Sequence, residues 1–140
     1  MIAVLLGPPG AGKGTQAKRL ATKLKALHMS SGDILRAARA AGTELGKRAA
    51  TYMDRGELVP DSLVIEMMLE RMLRGKGKSV LLDGFPRTLA QAEALDTGLA
   101  EHGLAIGRVV NIDVPDAEVE RRLTGRRSCP ACGAVYHVEF

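Results

Sequence analysis

The stretch GPPGAGKGT, residues 7–15, sets four glycines, two prolines and one lysine directly behind the apolar run Met1 to Leu6. Within that run IAVLL, residues 2–6, does not alternate polar with apolar and is cut off sharply at Gly7, as expected of a short strand buried on both faces. Beyond Gly14 the apolar positions Ala17, Leu20, Ala21, Leu24 and Leu27 recur at three- and four-residue steps, the period of an amphipathic helix. Glycines between the two free the backbone to curl. The segment therefore reads as strand, glycine loop, helix. In that geometry the loop amides and the unpaired N–H groups of the first helical turn converge, and the helix dipole favours an anion there.

Phosphate is the natural guest. Gly7-x4-Gly12-Lys13 matches the P-loop up to its lysine, whose flexible ammonium reaches the outer phosphates of a nucleoside triphosphate. Gly14 follows Lys13, so the hydroxyl of Thr15 comes one place later than in the general pattern, and the usual hydroxyl-to-magnesium assignment does not transfer directly. A ligand-free glycine turn is the competing reading, disfavoured by the lysine and by the flanking strand and helix. The dinucleotide fingerprint G-x-G-x-x-G does not fit the spacing.

A chain of 140 residues makes one modest domain, and 46% apolar with 26% charged residues is ordinary for a globular protein, so composition alone names no function. The net charge of +4 suits an anionic partner. Two Tyr, two Phe and no Trp leave little to stack on the bases of a long nucleic acid, so the charge is read as serving phosphates on small ligands. The N-terminal apolar run is too short and too early for a signal peptide, and no stretch approaches the roughly 18 apolar residues of a membrane span. No membrane partner and a cytoplasmic location are expected. Both cysteines sit in one C-x-x-C, Cys129 and Cys132, which in a reducing compartment points to metal or redox chemistry before a structural disulfide.

Strand candidates recur at Ile2 to Leu6, Val80 to Leu82 and Val109 to Val114, with a weaker one at Leu27 to Met29, and helical stretches separate them. This alternation predicts an α/β fold, a parallel sheet flanked by helices. Between Ser30 and Pro60 two short helical patterns are broken at Gly42 and Gly56; with few large apolar residues they read as a helical flap and not as core. Asp61 is expected to cap an apolar helix, Leu63 to Leu73, and Gly75 to Lys78 to form a solvated loop. Met53, Met67, Met68 and Met72 sit at helical spacing and are expected in packing. From Gly125 the helical period disappears, and GRRSCPACGAVYHVEF reads as a cysteine knuckle leading into a strand that has just begun at Phe140, as if the chain were incomplete. His28, His102 and His137 have no partner in the sequence and are assigned no chemistry.

Directly after SVLL comes DGFPRT, Asp83 to Thr88. A carboxylate at the C-terminal end of a strand beside the P-loop strand lies where an α/β protein binds its ligand, and Asp83 there could hold the waters of a Mg2+ ion. Gly84 and Pro86 hold the turn, and Arg87 could fork onto a phosphate. Taken alone, Asp83 reads first as a helix cap or a surface turn.

Taken together, GPPGAGKGTQA, SSGDILR, GELVPD, LLDGFPRTLAQAEAL and GRRSCPACGAVYHVEF, in this order and spacing, resemble an adenylate kinase of the bacterial kind whose lid can hold zinc. The resemblance runs along the whole chain. Thr88 after DGFPR and the knuckle after GRR are similar to adenylate kinases more than to pyrimidine nucleotide kinases. It implies a P-loop NTPase-like core over residues 1–29 and 60–124, an NMP-binding helical insert at 30–59, and the start of a lid at 125–140. The implied reaction is reversible phosphoryl transfer from MgATP to AMP giving two ADP, carried out by a monomer. The alternatives are another nucleoside monophosphate kinase, or a nucleotide-binding fragment with little turnover.

On the ATP side the resemblance implies Gly10, Ala11, Gly12, Lys13, Gly14 and Thr15 around the phosphates, Arg122 against the adenine, Arg126 one helical turn later on the phosphates, and Val135 and Tyr136 from the lid. On the AMP side it implies Ser31, Arg36, Glu57, Leu58, Val59, Gly84, Arg87 and Gln91, the last reading the adenine edge. Ser31 stands where the family more often has threonine; it keeps the hydroxyl and loses a methyl contact. Lys13, Arg87 and Arg126 are the implied catalytic residues, with Asp83 holding Mg2+ through water. Each also has a local reading. Gln91 completes the capping box T-x-x-Q with Thr88, Arg36 is a solvated helix charge, and Arg122 and Arg126 pair with Glu118 and its neighbours. In the family the lid continues with a second pair of metal ligands, further arginines, another strand and a C-terminal helix. Cys129 and Cys132 thus supply half of a tetrahedral Zn2+ site, and zinc is expected only with a complete lid. No N-K-x-D stretch supports a GTPase, and a zinc-ribbon nucleic-acid binder would need the second ligand pair.

Overall fold

The structure, a computed structural model, describes residues 1–75 and 77–139. Lys76, within the expected Gly75–Lys78 loop, and Phe140, last in the expected lid segment, lie outside the described residues.

The first strand, β1 (Ile2–Leu6), leads through the glycine loop into α1 (Lys13–Leu24). The helix stops one turn before the apolar period does, because Lys25 takes the left-handed conformation (φ 51°) and its N–H caps the carbonyls of Ala21 and Thr22. Leu27, read both as the last apolar position of the helix and as the start of a weaker strand, opens β2 (Leu27–Ser30), as the strand reading has it. Two short helices follow, α2 (Ser31–Ala41) and α3 (Glu44–Asp54). Ser30 and Thr43 accept from the backbone N–H of Asp33 and Gly46 as N-caps, and Gly42 (φ 66°) ends α2 where the sequence breaks its pattern.

Next comes α4 (Asp61–Arg74), which contains the expected Leu63–Leu73. Asp61 does not cap it. Pro60 stands in the cap position without a side-chain bond, and Asp61 is the first helical residue, where its charge suits the positive end of the dipole. Then follow β3 (Val80–Asp83), α5 (Leu89–Glu101), β4 (Ile106–Asn111), α6 (Asp116–Gly125) and the hairpin β5 (Arg126–Ser128) and β6 (Val135–His137). The third predicted strand is displaced: β4 starts at Ile106 and ends at Asn111, not Val109 to Val114, because its register follows β1, with Ile106 beside Ile2 and Asn111 beside Leu6.

Four strands form one parallel sheet in the order β2-β3-β1-β4. Alternate residues of β1 serve opposite faces, which explains its unbroken apolar character. Ile2 and Val4 pack with Met29, Val80 and Leu82 against Val64, Ile65, Met68 and Met72 of α4 and Leu95 and Leu99 of α5. Ala3 and Leu5 pack with Leu81 against Ala17 and Ala21 of α1. Both faces of β4 stand open: Val109 and Val110 are 59% and 50% exposed. The flap packs on its own small cluster, in which Ala49 meets Leu63 and Met67 of α4, flanked by Ile34, Leu35, Leu45 and Tyr52. Met67, Met68 and Met72 are buried and Met53 is half-buried.

Within the flap α2 and α3 approach so closely that a Cβ on Gly46 would overlap the carbonyl oxygen of Ala38. Gly46→Ala therefore forces the helices apart and is expected to cost roughly 1–3 kcal/mol, as overpacking does elsewhere. Urea denaturation measures it; an unchanged midpoint would mean that the two helices do not pack this closely.

Candidate functional site

At the C-terminal ends of β1 and β3 a cavity of about 1060 Å³ opens between the glycine loop and the β5–β6 hairpin. Its walls are Pro9, Gly10 and Gly12–Thr15 of the loop and α1, Lys18 and Arg19 one turn on, Asp83, Arg122, Arg126 and residues 133–137. Glycine is required at the entrance to α1: Gly12 is its N-cap in the left-handed region (φ 91°), with no side-chain cap. The first-turn amides are therefore left without a side-chain acceptor on an open cavity, which is the geometry of an anion site.

The charge is one-sided. Lys13, Lys18, Arg19, Arg122 and Arg126 line the cavity, against the single carboxylate of Asp83 among the described residues. Lys13 folds back over the loop, donating from Nζ to the carbonyl oxygens of Gly7 (2.7 Å) and Pro8 (2.9 Å). A polyanion must compete with two carbonyls for that ammonium. Arg122 donates to Glu118 Oε1 (2.8 Å) and, more weakly, to the carbonyl of Ala11 (3.4 Å), which ties α6 to the loop. Arg126 was expected one helical turn after Arg122. The helix ends at Gly125, and Arg126 is extended (φ −70°, ψ 136°) and opens β5, yet both arginines line the same cavity. Val135 and Tyr136 reach it from β6, and both are exposed. Ala11, buried beneath the loop, and Thr15, on the rim, complete the set predicted for the phosphates.

Among the described residues Glu118 anchors Arg122 and its neighbour Arg121, and not Arg126. Hydrogen bonds from Arg121, then from Arg122, hold its carboxyl down at about 2 against an ordinary 4.5. A carboxyl depressed by folding adds stability that is present above the ordinary value and lost as pH falls from about 4.5 toward 2. The stability difference between the parent chain and Glu118→Gln, followed by denaturant unfolding from pH 6 to pH 3, is accordingly expected to shrink below about pH 4.5. A difference constant across that range would refute the pairing.

None of the residues predicted for the second nucleotide lines the loop cavity. Ser31 opens α2 behind its cap Ser30, and Arg36 turns back onto Asp33 (2.5 Å). The Asp33 carboxyl is lowered, first by the Ser30 hydroxyl and then by Arg36. Glu57 and Leu58 are exposed, Leu58 at 95%, while Val59 packs beneath α2 and α4. On the other side Arg87 donates from Nε to the carbonyl of Gly84 (2.6 Å). Gln91 takes its local role: its N–H bonds Thr88 Oγ1 (3.2 Å), its Oε1 accepts from Arg87 N (2.7 Å), and its Nε2 donates to Asp61 (2.8 Å). No hydrogen bond among the described residues joins Ser31 or Arg36 to Arg87 or Gln91. A smaller cavity of about 320 Å³ lies between α2 and α4. Its charges include Asp33 and the Glu70–Arg74 pair, already bonded to neighbours, so the loop cavity is the candidate site.

The cysteine knuckle forms as expected, with Cys129 N–H on Ala134 O (2.8 Å) and Gly133 N–H on Cys129 O (2.9 Å). The Cys132 and Ala131 amides, followed by the Cys132 thiol, pull the Cys129 thiol below its ordinary range. Both thiols are free, and no group of three or more metal-binding side chains occurs among the described residues. Two sulfurs do not satisfy tetrahedral zinc. Mg2+ is different. It takes hard oxygen donors and keeps most of its waters, and a carboxylate on the wall of a cavity also lined by Thr15 and the glycine loop suits it.

The histidines, assigned no chemistry from the sequence, each have a partner in the fold. His102 bonds Gly98 O, His137 bonds Arg121 O, and His28 meets Asp83, with Nε2 3.1 Å from Oδ2. The last contact was out of reach of the sequence, since it requires knowing that β2 lies beside β3.

The family model described as Adenylate kinase matches residues 5–134. Among curated relatives, the adenylate kinase of Archaeoglobus fulgidus is 57% identical over 138 residues, 98% of this chain and 64% of its own length. Those of Carboxydothermus hydrogenoformans and Lachnospira eligens are 54% and 50% identical over 98% of this chain and 64% and 65% of theirs. The chain thus spans somewhat less than two thirds of the length of these relatives.

Proposed function

The chain belongs to the adenylate kinase family, and on that footing we propose that it binds MgATP in the loop cavity and transfers the terminal phosphoryl group to AMP, giving two ADP. The observation that carries this is that, among the described residues, five cations and a set of uncapped helix amides surround one cavity with a single carboxylate. Such a surface is built for a polyphosphate, and its residues act by alignment and charge neutralisation. Lys13 leaves the Gly7 and Pro8 carbonyls for the outer phosphates. Arg122 lies against the adenine and Arg126 against the phosphates, with Val135 and Tyr136 covering the base. Asp83 would hold Mg2+ through water, the ion supplying further neutralisation of the transferring group.

On the acceptor side Arg87, with Gly84 beneath it, takes the AMP phosphate, with Ser31, Arg36, Glu57, Leu58 and Val59 brought up by movement of the flap (30–59) toward the core (1–29 and 60–124). Gln91 must give up Asp61 to read adenine. The lid begins at 125. No helix of the described residues is long and apolar enough to cross a membrane; the proposed setting is the cytoplasm, which holds both nucleotides and keeps Cys129 and Cys132 reduced. The test is ADP formation from ATP with AMP, UMP, CMP or GMP offered in parallel. Transfer to AMP above the others supports the reading, and preference for another monophosphate overturns it. ATP-dependent thermal stabilisation without product would reduce it to nucleotide binding.

A further inference from the structure

We propose that His28 is a positioning residue for Asp83, holding its carboxylate in the orientation that receives the water shell of a nucleotide-bound divalent cation; this rests on the MgATP reading above. His28 Nε2 stands 3.1 Å from Asp83 Oδ2, and the two side chains are only 20% and 13% exposed. An ionised carboxylate can only accept, so the hydrogen lies on Nε2, which donates. The register brings this about. Ser30 of β2 pairs with Asp83 of β3, and His28, two residues earlier on the same face, reaches diagonally to the carboxylate.

Asp83 is the sole carboxylate lining the cavity among the described residues, and its Oδ2 lies 3.9 Å from where a Cβ on Gly14 would stand. An aspartate beside five cations would otherwise swing toward the nearest one. The His28 donor on Oδ2 fixes the carboxylate and leaves its remaining lone pairs for metal-bound water. No other side chain among the described residues hydrogen-bonds this carboxylate.

The experiment uses the 140-residue chain and isothermal titration with ATP, with and without Mg2+, on the parent, His28→Leu and His28→Gln. The expected result is equal affinity for metal-free ATP in all three. The gain in affinity on adding Mg2+ falls roughly tenfold in His28→Leu, the lower end of what outer-shell partners contribute. His28→Gln, whose amide can still donate, restores most of that gain. An undiminished Mg2+-dependent gain in His28→Leu overturns the inference, as does an equal loss for ATP with and without Mg2+, which marks a packing role. A parent chain that binds no ATP at all overturns the nucleotide reading itself, so the two failures are told apart.

Discussion

Lys13→Ala is expected to lower ADP formation by roughly 10²–10³-fold, about 2.7–4 kcal/mol, the cost of removing one preorganised donor from developing phosphate charge. The fold should hardly notice. Lys13 is half-buried and its two bonds go to loop carbonyls at the open edge of the cavity, so those carbonyls turn to water in the variant. The signature is therefore a melting temperature close to the parent's without ligand and a smaller rise when ATP is added. Arg19 and Lys18 remain in place as more distant cations and should preserve weak binding. Turnover equal to the parent's would remove Lys13 from the mechanism and with it the phosphate reading of the loop.

Leu82→Ala is expected to cost about 2–5 kcal/mol, a large part of the roughly 5–15 kcal/mol that holds an ordinary domain. Leu82 is fully buried in β3, in register with Val4 of β1 and Met29 of β2, and packs in the cluster built by α4 and α5. Removing its isobutyl group opens a cavity in the middle of the sheet, and close packing on both sides limits how far that cavity can collapse. Because Asp83 is the next residue, nucleotide binding should weaken along with stability. Denaturant unfolding measures the first and ATP titration the second. A loss under about 1 kcal/mol would contradict the packing described for this face.

The two variants test different levels. One alters chemistry on an intact scaffold, and the other alters the scaffold under an intact set of charges. A chain in which both gave the same phenotype, loss of fold together with loss of turnover, would have its glycine loop acting as a structural element and not as a ligand cradle.

Much of this was legible in the sequence because it is local. The glycine loop declares itself through residues that only suit positive φ and an uncapped helix start, and Gly12 sits where that reading requires. The knuckle is equally local, since its hydrogen bonds span residues 129–134. Errors arose where a neighbour in space, or an unforeseen local cap, overrode the pattern. Lys25 capped α1 before Leu27, and β1 drew β4 back to Ile106. Gln91 was read both as a cap partner and as a base reader, and the structure shows the amide bonded to Arg87 and Asp61. Val109 and Val110 are apolar yet exposed, since apolar character only states what a residue prefers and exposure depends on what else packs beside β4.

The sequence by itself determined the strand–loop–helix phosphate cradle, the alternation that makes a parallel α/β sheet, the methionine-rich core helix and the cysteine knuckle. Each of these depends on backbone preference or periodicity over a few consecutive residues. Only the tertiary structure decided the strand order β2-β3-β1-β4, and with it the meeting of His28 and Asp83 across 55 residues and of Arg122 with the Ala11 carbonyl across 111. The reason is physical: side-chain period says which face a residue occupies, but which strands and helices become neighbours is settled by the summed burial of the whole sheet, a quantity no short stretch contains.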